Sequence, residues 1–425
     1  MWLSRSPNFT KASISDGAAY RNTRLMPHIS ARQSAIPQAA TMQAAARARA
    51  LRAEGRDIIS LTLGEPDFAT PRHAIEAAHA AALRGDTKYP AVGGSPAFKS
   101  AIRAKFLRDS NLEFAPEDIL VGNGARQIIY DALTATLDAG DEIIIPAPYW
   151  NAYPLIAQMA GATPVFIDCP DSENFLPTPQ SIACAITPRT TWLVLNFPNN
   201  PTGAVCPERH LHAIAEILRA APHVWIMADD MYEHLIHDGT RNPTMAAIAP
   251  DLADRVLTIS GVSKTYAMTG WRVGFAGGPR HLIEAMAKVQ GQTTGGVSPI
   301  AQAAATAALE GPQDLVADMR AAYAARSRRV AAALTAIDGI TCHAPQGAFY
   351  CYPSIAGLLG RTTRAGTLID TDAAFCAALL EEAGVATVHG AAFGKSPHLR
   401  LSTAASDDNL ATACVRIAAF CDTLR

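Results

Sequence analysis

Lys264 is the residue of this sequence best placed to act as a nucleophile. It lies in Ser260-Gly-Val-Ser-Lys264-Thr-Tyr-Ala-Met-Thr-Gly-Trp-Arg272-Val-Gly274, just after a predicted strand, with no acidic neighbour in sequence. A partly buried lysine of this kind can have a depressed pKa and react as a free amine. An exposed loop lysine has the same local composition, so the segment gains meaning only from its companions. Arg272 stands in a Gly-flanked position suited to an anion. Val121-Gly-Asn-Gly124-Ala125-Arg126-Gln is a turn between a strand and a helix, where free helix N–H groups also suit an anion. It lacks the third glycine of G-x-G-x-x-G, which counts against a dinucleotide fold. Val224-Trp-Ile-Met-Ala-Asp229-Asp-Met-Tyr232 ends a strand on adjacent carboxylates, which point to opposite faces while the strand lasts. An Asp there also serves as a helix N-cap. Asn196-Phe-Pro-Asn-Asn200-Pro-Thr-Gly203 is a turn built from Asn, Pro and Gly. His398-Leu-Arg400-Leu-Ser402 sets one cation in a short apolar strand, and a planar guanidinium can grip a carboxylate with two parallel bonds. His234 and His237 form H-x-x-H without a third ligand, and no metal site is expected.

These residues need a scaffold, and the middle of the chain predicts one. Short apolar runs at Ile119–Val121, Glu142–Ile145, Thr163–Ile167, Trp192–Asn196, Val224–Ala228, Val256–Ser260 and Gly274–Gly277 alternate with alanine-rich helical stretches. That alternation indicates an α/β fold with a mostly parallel sheet. Helices are expected over Ala39–Gly55, Gln313–Ile337 and Ala373–Gly384, and further strands over Gly347–Tyr352 and His398–Leu401. The expected organisation is an N-terminal extension (1–30), a large domain (71–309), and a smaller α+β domain made from both ends (31–70 and 310–425).

Composition narrows the class of function. The 425 residues are 49% hydrophobic and 17% charged with a net charge of −2, which excludes disorder and gives no support to bulk nucleic-acid binding. No apolar run approaches the ~18 residues of a membrane span. The eight cysteines form no C-x-x-C pair and read as small buried hydrophobes in a reducing compartment. A cytoplasmic location follows. The basic start, with Arg5, Lys11, Arg21 and Arg24 against Asp16, leaves organelle targeting open.

From Gly261 to Gly274 the sequence resembles the lysine signature of class I pyridoxal-phosphate aminotransferases, and the likeness extends from about Ser30 to the C-terminus. It looks most like the bacterial aspartate (aspartate/prephenate) aminotransferase branch. The resemblance implies PLP-dependent transferase fold type I, with a seven-stranded, mostly parallel sheet in the large domain. It implies that Lys264 forms an imine with pyridoxal 5'-phosphate and then acts as general acid/base. By the same resemblance Asp229, rather than Asp230, partners the ring nitrogen, because a tyrosine follows three residues later. Tyr232 and Asn200 reach the phenolic oxygen, and Trp150, in Pro146-Ala-Pro-Tyr149-Trp150, stacks on the ring. The phosphate falls to Gly124, Ala125, Arg126, Ser263 and Arg272, with Tyr89 lent by a partner subunit. Many relatives carry serine where Gly261 stands; either Ser263 or Ser260 compensates, or the phosphate has one hydrogen bond fewer.

For the substrate, the resemblance names Arg400 as the α-carboxylate clamp, with Asn200, Trp150 and the Gly64 backbone (in Leu63-Gly64-Glu-Pro-Asp-Phe68) beside it. Aspartate and 2-oxoglutarate are the expected pair of amino acid and 2-oxo acid. The alternatives are an aromatic, prephenate or other transaminase, or a PLP-dependent lyase of the same fold. A distal carboxylate needs a second cation, for which Arg32 and Arg126 are candidates. The loop Gln292-Thr-Thr-Gly-Gly296 is expected to face a partner's site, and its Gly pair puts narrow aspartate specificity in question. A homodimer with shared sites is expected, with no nucleic-acid or membrane partner.

Overall fold

The computed structural model describes Ile36 and residues 38–425; the basic extension and Arg32 lie outside the described residues. In chain order the strands are β1 (Ile59–Ser60), β2 (Ile119–Gly122), β3 (Glu142–Ala147), β4 (Thr163–Asp168), β5 (Thr190–Asn196), β6 (Trp225–Asp229), β7 (Val256–Gly261), β8 (Gly274–Gly277), β9 (Tyr350–Cys351), β10 (Val385–Ala386), β11 (Val388–His389) and β12 (Leu399–Ser402). Seven of them form one sheet in the order β2-β8-β7-β6-β5-β3-β4. Strand β8 runs antiparallel to both neighbours, and the other pairs are parallel.

The sheet is buried on both faces because its strands are apolar at successive positions. Ile143 and Ile145 of β3 face a core shared with the helices Ala125–Thr136, Ala152–Ala160 and Arg280–Thr293, while Ile144 between them faces another shared with Glu208–Arg219. The same split separates Trp192 and Val194 from Leu193 and Leu195 on β5. Continuous apolar runs are what a doubly covered parallel sheet requires.

Both chain ends contribute to a separate apolar cluster, in which Ile59 and Leu61 meet Val330, Leu334, Phe375 and Phe420. There β1 pairs in parallel with β10 (Ile59↔Val385), and β11, β12 and β9 form a small antiparallel sheet. The seven expected strands of the large sheet are all present, with ends shifted by no more than two residues. The helices expected over Ala39–Gly55, Gln313–Ile337 and Ala373–Gly384 are Ala40–Ala53, Asp314–Thr335 and Asp372–Ala383. Two expectations need correction. The strand expected over Gly347–Tyr352 is only Tyr350–Cys351, because Ala348 adopts a left-handed conformation that ends the extended run. Gln292 and Thr293, expected in a loop, are the last turn of Arg280–Thr293, and the chain turns at Gly295.

Candidate active site

The parallel strands end on one side of the sheet, where their outgoing loops meet. Asn196 closes β5 and is the register partner of Asp229, which closes β6. Its side chain donates to the Asp229 carbonyl at 2.9 Å and accepts the Asn200 N–H at 3.1 Å. The strand end and the following turn are thus tied by one amide. Asn199 Oδ1 accepts from the N–H and hydroxyl of Thr202, at 3.1 and 2.8 Å, and tightens the same turn.

A cavity of about 470 Å³ opens over these ends. It is lined by Gly64, Ala125, Arg126, Trp150, Asn200, Asp229, Tyr232, Ser263, Lys264, Arg272 and Arg400, which brings together most of the residues expected from sequence. Gly124 borders it: a Cβ there would lie 3.0 Å from the Arg272 guanidinium carbon, so the glycine lets the arginine close over the helix N-terminus. Gly124 also has φ 81°, a conformation glycine adopts without strain. Gly274 admits that helix to the sheet, since a Cβ would fall 2.6 Å from the Gly124 carbonyl carbon. Tyr89 is fully exposed and lies outside this chain's cavity.

Lys264 sits in the short helical turn Val262–Thr265 that follows β7, and its Nζ donates to the Gly64 carbonyl at 2.5 Å. Burial lowers its pKa to about 8. Glu65 opposes that shift, and the positive Arg272 and Arg400 add to it. Asp229 goes the other way: burial raises its carboxyl to about 6, against the pull of hydrogen bonds from Tyr153 and the Met231 N–H. Tyr232 is buried, its hydroxyl 2.8 Å from that of Tyr350, and burial raises it well above the usual tyrosine range.

Arg400 is buried between the rings of Tyr350 and Phe393, at 4.7 and 4.8 Å from their centroids. Its Nη1 donates to Asn200 Oδ1 at 3.0 Å and its Nη2 to the Thr62 carbonyl at 2.6 Å, while Nε has no partner. Arg272 holds a left-handed backbone (φ 57°), a strained choice for a non-glycine residue. It donates to the Thr269 carbonyl at 2.8 Å, which aims its guanidinium at Gly124. Arg126 lies 4.8 Å above the Trp150 ring, and burial together with Arg272 lowers its pKa. Among the described residues none of Arg126, Lys264, Arg272 and Arg400 is ion-paired with a carboxylate.

Two expectations are narrowed. Ser260 cannot replace the serine missing at Gly261, because its hydroxyl is committed to Glu233 on the other side of the strand. Ser263 lines the cavity with no side-chain hydrogen bond among the described residues. The histidines of H-x-x-H diverge. His237 binds the carbonyls of Pro345 and Ala348, both at 2.9 Å. His234 meets Asp109 at 2.9 Å, close to Glu233. There the buried ammonium of Lys105, 2.5 Å from Glu233, already supplies the positive charge. Asp230 turns away from the cavity and accepts from Asn242 at 3.1 Å. Sequence reasoning missed Tyr153, Tyr350, Asn196 and Thr62. Trp150 and Tyr153 stand three apart, a helical spacing that was the available signal for Tyr153.

The arrangement fits pyridoxal phosphate. Four cations without a carboxylate partner and the Asp229 carboxylate line one cavity, a helix N-terminus is held open by glycine, and Arg400 keeps a buried guanidinium nitrogen without a partner. Among the described residues no helix is long and apolar enough to cross a membrane. The sequence profile described as aminotransferase class I and II matches residues 56–417. The chain is 49% identical over 393 residues to the aspartate aminotransferase of Rhizobium meliloti, covering 92% of this chain and 96% of that protein. It is 51% identical over 375 residues to the aspartate/prephenate aminotransferase of Cereibacter sphaeroides, covering 88% and 94%. Among solved structures, the Rhizobium meliloti aspartate aminotransferase superposes with a TM-score of 0.92 at 48% identity, covering 94% of this chain and all of that one. The Thermus thermophilus aspartate aminotransferase, solved with maleate, superposes with a TM-score of 0.86 at 38% identity, covering 93% and all of that chain.

Proposed function

The chain belongs to the class I and II aminotransferases and depends on pyridoxal phosphate, and from that premise we propose that it moves the amino group of L-aspartate to 2-oxoglutarate through Lys264. The observation that carries the reading is the set of unpaired cations around Lys264, placed for a phosphate and two carboxylates. The names of the Rhizobium and Cereibacter relatives support aspartate, and maleate in the Thermus structure is itself a dicarboxylate.

When bound, the cofactor supplies an aldehyde that takes an amine as an imine and a ring that accepts electron density from the substrate Cα. The free backbone N–H groups of Ala125 and Arg126, next to Gly124, with the Ser263 hydroxyl and Arg272, hold its phosphate; the Gly124 N–H itself is spent on the Gly122 carbonyl. Trp150 covers one ring face. Asp229 keeps the ring nitrogen protonated, and Tyr232 and Asn200 donate to the phenolic oxygen. Lys264 Nζ, neutral above about pH 8, takes the proton from the substrate Cα and hands it on. Arg400 grips the α-carboxylate beside the Gly64 backbone, and Arg126 receives the distal carboxylate, having no carboxylate partner of its own.

The proposal includes a homodimer in which Tyr89 completes the neighbour's phosphate site; its full exposure supports this. It includes a smaller body made from both chain ends, supported by their shared apolar cluster. A cytoplasmic location rests on eight unpaired cysteines. A second reading, prephenate as amino acceptor, rests on the name of the Cereibacter relative. A half-reaction screen tests the substrate. Aspartate should bleach the visible band of the lysine-bound cofactor, and Arg126→Met should weaken aspartate while sparing alanine. Bleaching by phenylalanine or alanine but not aspartate would overturn the assignment.

A further inference from the structure

We propose that Tyr153 is a positioning residue that sets the proton balance between Asp229 and the cofactor's ring nitrogen. The inference rests on the assignment of Asp229 as the partner of that nitrogen. Tyr153 lies in the first turn of Ala152–Ala160, buried, with its hydroxyl donating to Asp229 Oδ2. It is the only side chain that donates to this carboxylate among the described residues. The other donor is the Met231 N–H, at 3.4 Å from Oδ1. Among the described residues no cation lies within ion-pair distance of Asp229. The titratable groups near it are Tyr232, which is turned to Tyr350, and Asp230, which is turned to Asn242.

A buried carboxylate without donors becomes the more basic partner and takes a shared proton. A strong donor weakens that basicity and leaves the proton on the ring nitrogen, where the ring needs it to accept electrons. Tyr153 is held for this task by Trp150, three residues earlier and just before the helix, whose ring meets it edge-on at 5.3 Å and 89°. One helix start therefore carries both the aromatic face offered to the ring and the donor behind its acidic partner.

The test is the ¹⁵N chemical shift of ring-labelled pyridoxal phosphate bound to the holoenzyme. Tyr153→Phe should move it toward the value of a neutral pyridine and lower kcat for aspartate about tenfold, the worth of one hydrogen bond to a charged group. Site-specific 3-fluorotyrosine at the same position, a stronger donor, should leave the nitrogen protonated and kcat near normal. A merely structural tyrosine would move neither signal in this pattern. Unchanged nitrogen shift and kcat in Tyr153→Phe would overturn the proposal. If that variant does not fold, a 3-fluorotyrosine enzyme whose nitrogen has lost its proton would overturn it instead. Asp229→Asn separates the two layers. If it leaves the nitrogen shift unchanged, the Asp229 assignment fails. If it moves the shift and Tyr153→Phe does not, only the role of Tyr153 fails.

Discussion

Arg400→Lys keeps the charge and removes the fork, which isolates geometry from electrostatics. The guanidinium has five N–H donors. One goes to Asn200 and one to Thr62, so Nε and the second hydrogens of the two Nη atoms remain for a carboxylate. An ammonium has three donors; with Asn200 and Thr62 still served, one is left. The substrate therefore loses one of two charge-assisted hydrogen bonds, worth about 1.5–3 kcal/mol. At 1.4 kcal/mol per factor of ten, kcat/KM for aspartate should fall about 10- to 150-fold. The assay is the single-turnover half-reaction, followed by bleaching of the lysine-bound cofactor, with aspartate and with β-alanine. The latter retains a carboxylate but lacks the α one, so its already low rate should change no more than a few-fold. The absorbance of the resting enzyme should not change. Equal losses on both amines, or no loss on aspartate, would refute the clamp.

Further outcomes follow from other parts of the site. The amine of Lys264, lowered to about 8 by burial, should reach half its reactivity near that pH when the apoenzyme is labelled competitively with acetic anhydride; labelling still rising above pH 10 contradicts the burial argument. The native state then binds fewer protons than the unfolded one between about 8 and the ~10.4 of a free lysine, so this group makes apoprotein stability rise with pH across that window. Mixing Tyr89→Ala with Lys264→Ala homodimers should restore about one quarter of wild-type activity, since half of the randomly formed dimers carry one intact site; no recovery after confirmed exchange means that Tyr89 is not shared. Gly274→Ala should push the helix Ala125–Thr136 off the sheet, costing about 1–3 kcal/mol in denaturant titration and weakening binding of pyridoxal phosphate more than that of pyridoxal.

What could be read from sequence was local. Lys264, Arg272 and Gly274 share one segment, and Gly124 to Arg126 mark a strand-to-helix turn, so residue type and spacing suffice for them. The alternation of a strand predicted opposite faces for Asp229 and Asp230, and the cavity does take one and leave the other to Asn242. The large sheet was legible because its strands are continuous apolar runs. Contacts across the chain were not. Tyr153 reaches Asp229 over 76 positions, and Arg400 reaches the Thr62 carbonyl over 338. Neither leaves a periodic trace. The strands β1 and β10 have two residues each, too few for an alternating pattern, and exist because the Ile59 and Val385 segments share an apolar cluster.

The same cations that were legible one by one have a joint consequence that no single motif carries. Arg400 is buried, Lys264 is half-buried, Arg126 keeps part of its surface exposed, and none meets a carboxylate within the chain among the described residues. Desolvation pushes all three toward the neutral form. Arg400 lessens its own penalty by lying between two aromatic faces, but its Nε remains orphaned. With the proposed roles, a phosphate and an α-carboxylate would partner these cations, so binding would relieve a desolvation penalty as well as add contacts. Ligand binding then stabilises the native state in proportion to affinity.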